Sequence, residues 1–301
     1  YKRQTGSYFI DSATDHRTPV RSFLRRLDGS LVRVLDSNPV HQRDEFALGK
    51  FEMVKVPARD GFVMEGSLLY PVDFDPSQKY PVWFMTYGGP HAPTVSDAWQ
   101  FRVLDHVLSS LGIIVFRCDP RSASGKGAVS AWTAYKRLGI QEQQDVDDAI
   151  DWLIAKHPFV DASRIGMSGG SYGGFLTAFC MTHSKKFAAG IAAFPVTDWH
   201  LYDSISTERY MDLPSKNAEG YAQTSVVRAA KNLHGRLLLI HGLMDDNVHV
   251  QNSIRLIEEL QKAGKQFEIM LYPQARHGVG RGYGLHYQTL QLDFIRRTMG
   301  R

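Results

Sequence analysis

A serine set among glycines offers the first chemistry in this chain. Gly169-Gly170-Ser171-Tyr172-Gly173 fits G-x-S-x-G, the turn that exposes a nucleophilic hydroxyl between a strand and a helix. The reason is steric. Strand and helix approach closely at such a corner, so the neighbours of the serine must lack Cβ atoms. The N–H groups that follow open a helix and favour developing negative charge. Gly166-Met167-Ser168-Gly169-Gly170 fits the same pattern by overlap. Ser171 is preferred, because the apolar strand is expected to end near Ser168 and the helix to begin after Gly173. With 26 glycines in 301 residues the pattern is easy to meet by chance, so a base and an acid must be found elsewhere.

In an open parallel sheet such groups sit just beyond the carboxyl ends of the strands. After an apolar run at Arg236–His241 comes Asp245-Asp246-Asn247-Val248-His249, and after a run at Phe267–Tyr272 comes His277 in a glycine-rich loop. The order Ser171, Asp245, His277 is that of the α/β-hydrolase fold. Ser171 would attack a carbonyl carbon, His277 would take and return the proton, and the carboxylate would fix the imidazole tautomer. Asp245 is preferred to Asp246 because it comes first after the strand. Of the other histidines, His241 at a strand end reads as structural, His249 is expected to begin a helix, and His286 is the remaining candidate base. Thr86-Tyr87-Gly88-Gly89-Pro90 ends another strand, where an oxyanion-binding loop belongs. One donor would be the Tyr172 N–H. The second is a backbone N–H or the Tyr87 hydroxyl, with a plain strand-end aromatic as the alternative.

The elements that must position these groups follow from hydrophobic patterning. Strand-like runs occur at 51–56, 63–70, 82–87, 113–118, 164–168, 188–194, 236–241 and 267–272. From Val82 they alternate with helical segments at 97–111, 141–157, 171–183, 250–263 and 285–299. Near-continuous apolar strands alternating with helices mean a mostly parallel eight-stranded sheet covered by helices on both faces. In the 141–157 segment Val146, Ile150, Leu153 and Ile154 form an apolar stripe, with Asp and Glu expected opposite it. The first two runs, joined at Arg59-Asp60-Gly61, are expected to be antiparallel. Residues 199–233 break the alternation and read as an insertion covering the strand ends. Residues 1–45 form a β-strand-rich N-terminal segment, with a hairpin at Asp28-Gly29-Ser30, and residues 36–50 read as a linker. Residues 46–301 are then the catalytic α/β-hydrolase domain.

Composition narrows the function classes. A net charge of +4 is weak and, apart from Arg21 to Arg33, scattered, which argues against a nucleic-acid surface. No apolar run reaches the length of a membrane helix. No paired His/Cys spacing suggests a metal, the Asp-Asp-Asn run lacks the alternation of a calcium loop, and no cofactor is expected. Cys118 and Cys180 make no disulfide framework and give no compartment. The first residue is Tyr1 rather than Met, so the start is expected to be processed or trimmed. A homo-oligomer is left open.

Gly169-Gly170-Ser171-Tyr172-Gly173-Gly174, Tyr87-Gly88-Gly89-Pro90, Trp199 to Tyr202, Thr207-Glu208-Arg209-Tyr210-Met211, and His241-Gly242 with Asp245 to His249 together resemble the prolyl oligopeptidase family of serine peptidases. The branch most like this chain is that of dipeptidyl peptidase IV, and the likeness runs from about Phe46 to the end. The resemblance implies Ser171, Asp245 and His277 as the triad and Tyr87 as the oxyanion hydroxyl. It also implies a pocket for the residue before the scissile bond, lined by Val196, Trp199, Tyr202 and Val248, with Asn247 binding a substrate carbonyl. Ser206 stands where that branch usually has a second pocket tyrosine, so a ring that would stack on proline is missing. The family places a β-propeller ahead of the hydrolase domain, and residues 1–45 could be at most about one blade of it. The substrate is expected to be a peptide; a free-standing carboxylesterase acting on esters with the same triad is the alternative.

Overall fold

The computed structural model describes residues 6–39 and 45–300. The part of the linker reading that falls on residues 40–44 lies outside the described residues, while 37–39 and 47–50 carry neither helix nor strand. The strands are β1 Tyr8–Ala13, β2 Arg21–Arg26, β3 Leu31–Asp36, β4 Phe51–Pro57, β5 Val63–Leu69, β6 Tyr80–Met85, β7 Ile114–Cys118, β8 Val160–Gly170, β9 Ala189–Ala193, β10 Arg236–Gly242 and β11 Glu268–Tyr272. The helices are α1 Val103–Ser110, α2 Ala128–Trp132, α3 Ile140–Lys156, α4 Tyr172–His183, α5 Ser204–Met211, α6 Ala218–Gln223, α7 Val226–Ala229, α8 Gln251–Lys262 and α9 Gly284–Met299.

Eight strands form one sheet in the order β11-β10-β9-β8-β6-β7-β5-β4. From β7 to β11 every pairing is parallel, and only β4–β5 and β5–β7 are antiparallel. The architecture is the α/β-hydrolase fold. Side chains alternate across the sheet, so β6 sends Val82 and Phe84 to one face and Trp83 to the other. The first face is covered by α3, α4 and α8, the second by α1 and α9. Both faces being covered explains why the strands read as unbroken apolar runs.

Three departures from the sequence reading have physical causes. The strand expected over 164–168 runs from Val160 to Gly170, because Gly169 and Gly170 still pair with Ala192 and Ala193. Ser168 is therefore not at the corner; it lies within β8, and its Oγ accepts a 2.9 Å hydrogen bond from Trp83 Nε1. The helix expected from 97 begins at Val103, since Thr94 and Val95 are tied to the Asp119 carboxylate and Asp97 accepts from His16. The acidic face of α3 is not solvated: Glu142, Asp145 and Asp148 are all buried. Asp145 is gripped bidentately by Arg121, which also holds Asp60, and Asp148 accepts from Arg59. A buried carboxylate stays charged at low cost when paired in this way. The interrupting block from Trp199 folds as a short 3-10 turn followed by α5, α6 and α7.

The N-terminal strands form a separate antiparallel sheet, β1-β2-β3. The β2–β3 hairpin turns at Gly29, whose φ of +88° suits a residue without Cβ. This sheet leaves Ile10, Leu31 and Val34 exposed. It is tied to the body by His16, whose N–H and Nδ1 both meet the Asp97 carboxylate, and by the Trp99 N–H to Thr14 Oγ1. Among the described residues no helix is long and apolar enough to cross a membrane.

Candidate active site

The corner between β8 and α4 is built from close backbone approaches. A Cβ on Gly169 would lie 2.5 Å from Gly173 and from the Thr86 carbonyl oxygen, and one on Gly173 would lie 2.4 Å from that same oxygen. Only glycine fits either position. Ser171 itself sits at φ +58°, ψ −119°, a conformation disfavoured for any residue with a Cβ. Its N–H donates to the Ala193 carbonyl at 3.0 Å, and its own carbonyl accepts from the Phe175 N–H. Ser171 is thereby fixed just beyond β8 with its hydroxyl outside the helix. Tyr172, the first residue of α4, turns its N–H out of the helix as well.

His277 follows β11 and meets that hydroxyl, with Nε2 3.0 Å from Ser171 Oγ. Its Nδ1 lies 2.9 Å from Oδ2 of Asp245, which follows β10. The carboxylate accepts only, so Nδ1 carries the proton and Nε2 presents its lone pair to the Ser171 hydroxyl. Asp245 is buried, and its Oδ1 accepts from the Asn247 and Val248 N–H groups at 3.0 and 2.9 Å. Those bonds fix the orientation of the carboxylate. The ring edge of Phe194 packs on His277 at 5.0 Å.

The other candidates are placed elsewhere. His241 is fully buried beneath Asp245, with Nε2 2.8 Å from the Val248 carbonyl oxygen and 3.4 Å from Asp245 Oδ2, and Nδ1 2.7 Å from Ser253 Oγ. Nε2 faces two acceptors and so carries the proton. Burial pulls the His241 imidazole below its ordinary value, which keeps it neutral. Asp246 is exposed and pairs with Arg276. His249 is exposed, two residues ahead of α8, and His286 bonds the Tyr272 hydroxyl.

A cavity of about 180 Å³ opens beside Ser171, with Tyr87, Tyr172, Val196, Trp199 and Tyr202 in its walls. Burial pushes the Tyr87 phenol above its ordinary value, and an interaction with the Ser171 hydroxyl opposes that rise. Ser206, Tyr210 and Leu138 also line it, together with the 89–92 segment. Leu138 was not singled out from the sequence, and Tyr210 entered only within the Thr207–Met211 motif, without a pocket role; a signal for one existed, since it follows Ser206 by one helical turn. Val248 is not a wall residue. It is fully buried, and its backbone instead serves Asp245 and His241. Asn247 also lies outside the walls, and its Oδ1 accepts from the Tyr202 hydroxyl at 2.9 Å. Under the cavity floor the Tyr172 hydroxyl reaches Glu142 Oε1 at 3.4 Å. Glu142 accepts from Ser122 Oγ at 2.7 Å and from the Gly139 N–H at 2.9 Å. Burial nevertheless pushes its carboxyl up to about 7. Among the described residues no group of three or more His, Cys, Asp or Glu could hold a metal ion.

The sequence profile of the prolyl oligopeptidase family matches residues 99–301. Mouse dipeptidyl peptidase 8 is 32% identical over 97% of this chain and 34% of its own length. A probable dipeptidyl-aminopeptidase B of Emericella nidulans is 39% identical over 73% of this chain and 25% of its own length. Among solved structures, dipeptidyl peptidase 4 of Porphyromonas gingivalis superposes with a TM-score of 0.92 at 34% identity, covering 97% of this chain and 42% of that one. A putative dipeptidyl aminopeptidase IV of Bacteroides ovatus gives 0.94 at 31% identity, over 98% and 42%. The chain thus spans less than half the length of each of these proteins.

Proposed function

The chain belongs to the prolyl oligopeptidase family, and from that premise we propose that it is the catalytic part of a serine peptidase working through an acyl-enzyme on Ser171. The observation that carries this reading is the line of two contacts, Ser171 Oγ to His277 Nε2 at 3.0 Å and His277 Nδ1 to Asp245 Oδ2 at 2.9 Å. Ser171 Oγ attacks the peptide carbonyl carbon while its proton passes to His277 Nε2. The imidazolium so formed is stabilised by Asp245, whose charge the 247 and 248 N–H groups hold in place. The carbonyl oxygen becomes an oxyanion and is met by the Tyr172 N–H and the Tyr87 hydroxyl. Collapse expels the amine, which takes the proton from His277. Water, activated by the same nitrogen, then attacks the ester and frees Ser171.

The cavity beside Ser171 holds the side chain on the acyl side of the cut bond. Its aromatic and aliphatic walls suit an apolar residue. Ser206 supplies a hydroxymethyl group where a ring would narrow the space, so residues larger than proline are accepted too. Residues 46–301 form the catalytic domain, and the N-terminal sheet is a unit docked on it. The relatives named above are dipeptidyl peptidases, and removal of dipeptides from peptide amino termini is the activity we assign to the whole protein. Ser171→Ala should abolish both hydrolysis of peptidyl anilides and covalent labelling by a fluorophosphonate. Retained hydrolysis by that variant would sink the reading.

A further inference from the structure

A second cavity of about 270 Å³ adjoins the first. Tyr87 stands in the walls of both. Gly170, one residue before Ser171, forms part of the second, as do Thr94, Arg102, Arg117 and Tyr287. Gly170 is backed by the Phe194 ring, which a Cβ there would meet at 2.7 Å, and that ring packs on His277. Gly170 thus connects the cavity, through Phe194, to the His277 side of Ser171, the side from which a departing amine would take its proton.

The charges here are unequal in their partners. Arg117 is satisfied by Asp105, with contacts of 2.6 and 3.0 Å. The Asp119 carboxylate is engaged by the Thr94 and Val95 N–H groups and the Thr94 hydroxyl. Among the described residues Arg102 donates only to the neutral amide oxygen of Gln100, at 2.5 Å, and no carboxylate forms an ion pair with it. The residue is partly buried. Burial and then the nearby Arg117 pull it below its ordinary value, partly opposed by Asp105 and Asp119. A cation in that position gains from any anion brought to it.

We infer that this cavity receives a carboxylate on the leaving-group half of the peptide, bound by Arg102 with Arg117 beside it. The inference rests on the peptidase reading of Ser171. The carboxylate has two sources: an acidic side chain after the scissile bond, or the free carboxyl terminus of a tripeptide. The test compares Ala-Ala-Asp-NH2 with Ala-Ala-Lys-NH2, and Ala-Ala-Gly-OH with Ala-Ala-Gly-NH2, by kcat/KM. At least one pair should favour the carboxylate by about tenfold, and the pair that does identifies the source. Arg102→Gln should bring that ratio within about twofold of unity; ratios within one variant cancel any loss of folded protein. Raising NaCl to about 0.5 M should also shrink the wild-type ratio, through screening. No preference in the wild type, or one that survives both Arg102→Gln and salt, overturns the inference. If no peptide is cleaved, the peptidase reading falls instead. Calorimetric binding of the same four peptides to Ser171→Ala then decides the cavity by the same ratios.

Discussion

Replacing Asp245 by asparagine tests the geometry at its most sensitive point. The amide keeps the size of the carboxylate, and its oxygen can still accept from the Asn247 and Val248 N–H groups, as Oδ1 does at 3.0 and 2.9 Å. Its NH2 then replaces Oδ2, 2.9 Å from His277 Nδ1. A donor there forces the lone pair of the imidazole onto Nδ1 and the proton onto Nε2. Nε2 then faces Ser171 Oγ as a donor and cannot take its proton. The same amide exchange in a Ser-His-Asp hydrolase lowers kcat about 10⁴-fold, equivalent to about 5.4 kcal/mol of transition-state stabilisation. The assay is kcat on a peptidyl anilide, with thermal unfolding followed in parallel. A loss of three to four orders of magnitude is expected, with a folded protein remaining. Asp246→Asn is the control. That residue is exposed and pairs with Arg276 on the surface, so its loss should change kcat by no more than about twofold. If Asp245→Asn retained a tenth of the activity, or Asp246→Asn lost as much as it did, the assignment of the carboxylate would be wrong.

Glu142 should make stability depend on pH. Its folded carboxyl sits at about 7 against an ordinary 4.5, so the folded state prefers the proton. The penalty is absent below about pH 4.5, grows as pH rises, and is complete above about pH 7, at about 3 kcal/mol. In Glu142→Gln, melting temperature should fall less between pH 5 and pH 8 than in the wild type; parallel curves would show the carboxyl ionises normally. Ser206→Tyr should shrink the cavity beside Ser171, reducing kcat/KM for leucine and phenylalanine before the cut bond more than for proline; equal losses for all three would place Ser206 outside the specificity surface. Gly173→Ala puts a Cβ 2.4 Å from the Thr86 carbonyl oxygen, where both neighbours are backbone. Activity should fall by at least about tenfold, with a lowered melting temperature, and a variant with wild-type values of both would contradict the packing described.

The sheet was readable because both of its faces are covered, which leaves long apolar runs, and because helices separate them at regular intervals. Ser171 was readable for a related reason: the crossing of β8, α4 and the Thr86 strand end tolerates no Cβ, and glycines mark it. What stayed hidden depends on contacts between distant segments. Nothing local to α3 signals that its acids are buried, since that follows from arginines at 59 and 121 reaching across to it. Val248 was expected at a pocket wall, yet the turn after β10 directs its backbone at Asp245 and its side chain inward. Leu138 lines the cavity from the loop before α3, which a distant contact holds there, its N–H meeting Met211 Sδ. The helix start at Val103 was obscured because Asp97, where the helix was expected to begin, instead accepts from His16.

β11 is the outermost strand of the large sheet, paired among the described strands with β10 alone, and the loop carrying His277 hangs from its end. Ser171, by contrast, is anchored between strands at the centre. The proposed proton acceptor and the proposed nucleophile therefore belong to regions that can come apart at different free-energy cost. Detachment of that border strand alone would silence the enzyme while most of the molecule stayed native. On gentle heating, turnover should vanish before the ellipticity of the protein changes.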